Sequence, residues 1–438
     1  MPDVLIVTRN FPPTSHVSVE RAMKLAKYLP EFGWRPTVLT GARATDGLPE
    51  DPALAAQVTG IEVVRSRSPE FSLFYGGVTR GRTAAAGAAV ASHGGPRRGK
   101  LHPKAWLVPD SQVLWYPFAV RAALRRARAG RWDAIVATSF PPTAILIAHT
   151  IAARLGVPYV ADFRDAWTRY FYAPERPAPL AQLERRLEAR MIRDAAAVVT
   201  VDPRLVEHAF ARLPVGDRPP LHAIQNGYDE DDFRDVLPAE LPSFSIVHAG
   251  RLRRSPRQLW DALAHALRQR PQLRGRLHVW QVGFVDPGAV TDLQTPPEGV
   301  TVHQVPPVPQ REAIGYMLGA DLLFLEEFGS IMPSKALQYL RAARPLLAHI
   351  DGGGLIRDVL RGMPETHLVD LTDAARAGDL IARLDAAPRQ VPRTPSDAVA
   401  AYSRREIARR YAGVLDAVRA SGRSRGRHGC FDTMHQSP

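Results

Sequence analysis

At 438 residues with 45% hydrophobic content, the chain exceeds one comfortable core, so two domains are expected. A single cysteine, Cys430, excludes a disulfide framework and a cysteine-based metal cluster, and no uncharged apolar run approaches the length that spans a membrane. The formal charge of +13, from 57 Lys and Arg against 44 Asp and Glu, attracts anions; without zinc-finger spacing, an RNA-binding aromatic motif or a helix-turn-helix, nucleic acid is not expected.

The chain opens with a strand over Asp3–Thr8, and its Asp3 stands where a secretory leader carries a base, so none is expected and a reducing, cytoplasmic location follows. A loop through Pro12-Pro13 leads to a helix over Val19–Leu29, then strands over Arg35–Thr40 and Gly60–Ser66. This is βαβ spacing, but the first loop lacks Gly-x-Gly and so carries no dinucleotide fingerprint. From Phe71 to Pro109 there is no acid, and aromatic residues interleave with arginine and lysine. Such an insertion fits an anionic membrane surface, an acceptor-binding lid or a solvated loop.

A basic helix is expected over Pro117–Ala129, a strand over Trp132–Thr138, a helix over Ala144–Leu155 and a strand over Pro158–Ala161. That strand runs into Asp162-Phe163-Arg164-Asp165-Ala166-Trp167, at the rim where open α/β sheets build sites. Asp162 and Asp165 astride Arg164 either hold a substrate hydroxyl or phosphate, or form an internal salt bridge. Beyond a charged helix over Leu180–Asp194 come strands over Ala195–Val201 and Leu221–Ile224, with a helix between them ending at Leu213. The turn-forming Asn226-Gly227 follows, and Asp229–Asp235 with Pro238–Pro242 reads as a linker.

The second half begins with a strand over Phe244–Ala249, then Gly250-Arg251-Leu252-Arg253-Arg254 and a helix over Pro256–Arg268. Glycine after a strand admits a ligand to the backbone, and converging arginines clamp phosphate; the bland alternative is a solvated loop. Strands over Leu277–Val282 and Val300–Val305 precede a helix over Gln310–Met317. In the unit Ala320–Ile350, the apolar run Leu322–Leu325 is a buried strand and Glu326–Ser330 an acidic turn. Ser334 caps a helix to Ala343, and Leu346–Ile350 is the next strand. Such a helix start favours anions. Gly352-Gly353-Gly354 opens a phosphate-sized turn before a helix over Leu355–Leu360 and a strand over Leu368–Leu371, and an amphipathic helix is expected over Tyr402–Val418.

Five of these pieces, in order, resemble the GT-B glycosyltransferases of family 4: Arg9–Pro13 with Lys24–Trp34, Asp162–Trp167, Asn226–Asp229, Gly250–Pro256 and Pro333–Pro345. The resemblance implies an α/β GT-B fold with two Rossmann-like domains facing a central cleft. Residues 1–235, with the basic insertion 70–115, would bind the acceptor and residues 243–395 the nucleotide sugar. A helix over 396–418 would cross back to the first domain, and a disordered tail would fill 419–438. It further implies retaining transfer from a nucleotide-diphosphate sugar to a hydroxyl of a natural-product scaffold or lipid-linked saccharide, with no metal and no cofactor beyond that co-substrate. Arg253 or Arg254 would neutralise the diphosphate, with Asp162 and Asp165 orienting the reacting groups. Gly250, Arg251, Glu327, Ser334, Lys335, Gln338 and Gly353 would complete the donor site, and Ser15, His16, Arg164 and Trp167 the acceptor site. Peripheral contact with the inner face of a membrane is compatible with this, and no oligomeric state is set.

The sequence departs from the family in two places. Thr14–Ser18 stands where the first loop carries glycines, and Gln338 and Ser330 stand where the family has glutamates, with Glu326 and Glu327 nearby. Two rival readings follow: a relative with an unusual donor or a non-glycosidic product, and a non-catalytic nucleotide-binding partner protein.

Overall fold

The computed structural model describes residues 1–42, 48, 50–69, 103–169, 176–328, 332–363, 366–386 and 396–422. Most of the basic insertion, Ser330 and the tail beyond 422 lie outside them. The chain divides into two compact units, Met1–Gln225 with the chain from Ala408 on, and Asn226–Ile407.

The first unit holds seven strands: β1 Asp3–Val7, β2 Arg35–Gly41, β3 Glu62–Ser66, β4 Ala134–Ser139, β5 Tyr159–Phe163, β6 Ala197–Thr200 and β7 Leu221–Ala223. All neighbours are parallel, in the order β3-β2-β1-β4-β5-β6-β7. Its helices are α1 Val17–Tyr28, α2 Pro52–Ala56, α3 Tyr116–Arg126, α4 Thr143–Leu155, α5 Ala178–Asp194 and α6 Glu207–Phe210. β4 and β5 are buried along their whole length, as strands covered on both faces must be. α4 ends at Gly156 in the left-handed region (φ 69°), where glycine carries no Cβ penalty.

The second unit holds β8 Ser245–Ala249, β9 Leu277–Val282, β10 Val300–Val305, β11 Leu322–Phe328, β12 Leu346–Asp351 and β13 Thr366–Val369. They too are parallel, in the order β10-β9-β8-β11-β12-β13. Its helices are α7 Glu230–Phe233, α8 Arg257–Gln269, α9 Pro287–Leu293, α10 Gln310–Gly319, α11 Ser334–Ala342, α12 Leu355–Arg361, α13 Ala374–Ala386 and α14 Asp397–Ala400. The last helix, α15 Arg404–Ala420, starts in this unit and continues in the first. α8 shows the packing logic: Leu259, Trp260, Ala262, Leu263, Ala266 and Leu267 are buried at helical spacing.

Several sequence expectations are corrected here. β5 reaches Phe163 and β11 reaches Phe328, so Asp162, Glu326 and Glu327 are strand residues rather than turn residues. Pro333, not Ser334, is the N-cap of α11, and no side chain caps that helix. Part of the acidic linker is helix α7, because Asp229 caps it by accepting from the Asp231 amide. α9 and α13 went unread, and α13 covers its sheet with Ala377, Leu380 and Ile381.

In each unit one strand has neighbours whose connections leave in opposite directions: β1 beside β2 and β4, and β8 beside β9 and β11. At such switch points the loops beyond the carboxyl ends diverge and leave a crevice.

Candidate functional site

The crevice of the second unit is built from the ends of β8, β9 and β11. β8 runs into Gly250 at φ 130°, and β9 into Gly283 at φ 123°. A Cβ on Gly283 would lie 2.5 Å from the Gly250 carbonyl oxygen, so glycine lets the two backbones meet. Gln281, 2% exposed, holds this turn by donating to the carbonyls of Gly250 at 2.9 Å and Phe284 at 3.3 Å.

With its amide nitrogen so engaged, the Gln281 oxygen faces His248 Nδ1 at 2.7 Å, and that nitrogen must carry the proton. The Nε2 lone pair then faces Lys335 Nζ at 3.5 Å. Burial and the Lys335 charge push the His248 imidazole down to about 3, so it stays neutral near pH 7. Lys335 lies in the first turn of α11 and is paired with Glu327 at 2.8 Å. One helical turn on, the Tyr339 hydroxyl donates to the Ala249 carbonyl and accepts from the Ala249 amide, locking α11 onto the end of β8. A Cβ on Gly250 would sit 3.6 Å from Lys335 Cδ, so the lysine stem lies over the glycine.

The three arginines differ in role. Arg251 is 2.5 Å from Asp286 and fixes the β9 connection. Arg254 reaches Asp351 at 3.6 Å with both side chains more than half exposed, a weak pairing. Arg253 is exposed and, among the described residues, makes no ion pair. Glu326 is pushed up to about 7 by burial; Arg254 and Lys335 pull it down, and Glu327 raises it. Near neutrality it is therefore half protonated and adds little repulsion to an anion. Ser334 and Gln338 share one face of α11 at i, i+4 spacing, Ser334 in its first turn. Gly353 is exposed within the turn that leads to α12. The ensemble offers cations, an uncapped helix start and glycine backbone, which together suit an anion.

In the first unit, the His16 ring caps α1 by accepting from the Ser18 amide at 3.2 Å. Burial and the Arg164 charge lower its pKa, which puts Arg164 in the electrostatic neighbourhood of the first loop that also holds Ser15. Arg164 pairs with Asp165 at 3.2 Å. Asp162 is 1% exposed, and both its oxygens accept from Arg21 at 2.8 and 2.9 Å. Arg21 also donates to the Ile224 and Gln225 carbonyls and to the Tyr411 hydroxyl, each within 2.9 Å. Burial alone would lower the Arg21 pKa; Asp162 and Tyr411 raise it instead. Trp167 is 2% exposed, with its indole donating to Glu184 at 3.2 Å, so it belongs to the core. Asp162 and Trp167 thus face inward, while Ser15, His16, Arg164 and Asp165 remain at the rim.

His248, Gln281, Tyr339 and Arg21 escaped the sequence reading. The available signal for the first two was a polar residue at the end of an apolar strand.

Residues 18–227 match the family model described as "Glycosyl transferase 4-like domain". Among curated proteins none matches. Several solved structures share the architecture over nearly the whole chain. HepE of Anabaena in complex with UDP has a TM-score of 0.56 at 14% identity, over 95% of this chain and 100% of that one. Sucrose-phosphate synthase of Thermosynechococcus elongatus gives 0.51 at 14%, over 96% and 97%. The α,α-trehalose 6-phosphate synthase of Burkholderia multivorans gives 0.53 at 12%, over 98% and 99%. The fold is GT-B. Among the described residues no group of three or more His, Cys, Asp or Glu is placed to hold a metal ion. Nor is any helix of this GT-B chain, among those residues, long and apolar enough to cross a membrane.

Proposed function

We propose that the chain is a family 4-like glycosyltransferase that moves a sugar from a nucleotide-diphosphate sugar to an acceptor hydroxyl with retention. The observation that carries this reading is the Lys335 ammonium at the uncapped start of α11, lying over Gly250 at the switch point of a GT-B unit. The diphosphate is bound there by Lys335, Arg253, Arg254 and the first amides of α11, and Gly250 gives it room. Gln338 accepts from the ribose, and Gly353 presents backbone to the sugar or phosphate. Negative charge growing on the leaving phosphate is stabilised by the same cations. That phosphate takes the acceptor proton on the face it leaves, so no metal and no carboxylate nucleophile are required. Ser15, His16 and Arg164 contribute to acceptor binding in the first unit, with Asp165 holding Arg164. The acceptor is a natural-product scaffold or a lipid-linked saccharide.

The test is a thermal-shift screen of the whole chain against UDP, GDP, TDP, ADP and CMP, with and without their sugars. A ligand of the native state raises apparent stability by mass action. UDP comes first, because a structure of the same fold holds it. The best ligand is then titrated into Lys335→Ala and into the Arg253→Ala, Arg254→Ala pair. Each lost charge-assisted contact should cost about 1.5–3 kcal/mol of affinity. Undiminished affinity in both variants would refute the anion site.

A further inference from the structure

An open groove of about 510 Å³ lies in the first unit, away from the rim just described. It follows the middle and end of α5, the helix that returns from the carboxyl end of β5 to the amino end of β6. Ala189 and Leu213 are its apolar floor, and five arginines, 185, 186, 190, 193 and 212, line it. On α5 these lie at positions that share one side of a helix, where like charges repel one another. The helix has acids that could neutralise them, but two are turned inward. Glu184 is taken by Trp167 and Arg176, and Glu188 by Thr168 and His208. Asp194 serves Arg190 and Arg193 at 3.5 and 3.0 Å. Arg185, Arg186 and Arg212 have no ion pair among the described residues.

The groove is flanked by exposed apolar side chains. Leu183, 45% exposed, is one turn from Arg186 on the same helix, and Val215, 78% exposed, is three residues past Arg212. Guanidinium groups match phosphate oxygens two at a time, and apolar side chains beside them suit the boundary between headgroups and acyl chains. We propose that this face of α5, with the turn from Arg212 to Val215, docks on an anionic phospholipid surface through headgroup phosphates. The proposal is independent of the transferase reading and of the basic insertion.

The experiment is co-sedimentation of the full chain with vesicles of phosphatidylglycerol and phosphatidylcholine, and of phosphatidylcholine alone, at physiological salt. The test variant is Arg185→Glu, Arg186→Glu, Arg212→Glu. The control makes the same change in net charge at the exposed Arg121 and Arg125 of α3 and at Arg128 just beyond its end. A thermal melt of each variant establishes that it is folded. The wild type should bind only the anionic vesicles, and the test variant should lose roughly a hundredfold in partitioning, at about 1 kcal/mol per arginine near such a surface. The control should lose much less. Leu183→Ser with Val215→Ser, which keeps every charge, should also weaken binding. No wild-type binding, or equal losses in the test and control variants, would overturn the proposal. So would binding of soluble glycerol phosphate at this face without any binding of vesicles.

Discussion

Two groups at the end of the second sheet respond to pH in opposite directions. His248 is held at about 3, below its ordinary 6.5, so the unfolded chain binds more protons and the folded state loses stability as pH falls below 6.5. Glu326 is raised to about 7, so its folded state binds more protons and stability falls as pH rises from the ordinary 4.5 through 7. The windows overlap, and only differences between wild type and variant separate them. Urea denaturation of the wild type should show about 2 kcal/mol of loss between pH 8 and pH 5 that is missing in His248→Gln. If both proteins follow one pH curve, His248 is not the buried neutral acceptor facing Lys335. Glu326 also bears on ligand binding, because its carboxylate would oppose a diphosphate. Affinity for the best nucleotide sugar should fall about tenfold from pH 6 to pH 8, as the protonated fraction falls. Glu326→Gln should flatten that profile, and an unchanged slope would place the titration elsewhere.

At the scale of elements, polar residues at strand ends explain what the sequence showed and hid. The buried cores of β1, β4 and β11 are apolar runs, and their order with the intervening helices pointed to two parallel sheets. β5 and β11 read too short because Asp162 interrupts the apolar run before Phe163, and Glu326 and Glu327 interrupt it before Phe328. The strand continues there by backbone pairing, which has no side-chain signature: Glu326 stays in register with His349, and Asp162 with Thr138. The glycines were legible as turn formers, but not the backbone contact between two loops more than thirty residues apart. That contact ranks two substitutions. Gly283→Ala combines φ 123° with a Cβ 2.5 Å from the Gly250 oxygen, whereas at Gly250 the nearest neighbour is a flexible lysine stem at 3.6 Å. Gly283→Ala should cost about 2–4 kcal/mol in urea denaturation, and Gly250→Ala about 1–3 kcal/mol. Gly250→Ala should be the one whose folded protein loses anion affinity, by crowding Lys335. The reverse ranking would contradict the loop-to-loop contact.

Over the whole chain, the least legible feature is the one that ties distant segments of the first unit together. Arg21 on α1 and Asp162 on β5 are 141 residues apart, and Tyr411 on α15 is 390 residues from Arg21. Local periodicity carries no trace of such a pairing, so Asp162 read as a rim residue with a salt bridge as its alternative. The geometry makes a distinct prediction. Removing one partner of a buried ion pair leaves an uncompensated charge, and Asp162→Asn should cost about 3–5 kcal/mol of stability. Replacing both partners with apolar residues, Arg21→Met with Asp162→Leu, removes that charge, and the double variant should regain much of the loss. Nucleotide affinity should be unchanged in whatever fraction of each variant is folded, because the proposed donor site lies in the other unit. Denaturation and nucleotide titration on the same samples separate structure from chemistry. Were Asp162→Asn to leave stability intact and abolish turnover, Asp162 would belong to the reaction; a large loss of stability, relieved in the double variant, assigns it to the framework that holds β5, α1 and α15 in place.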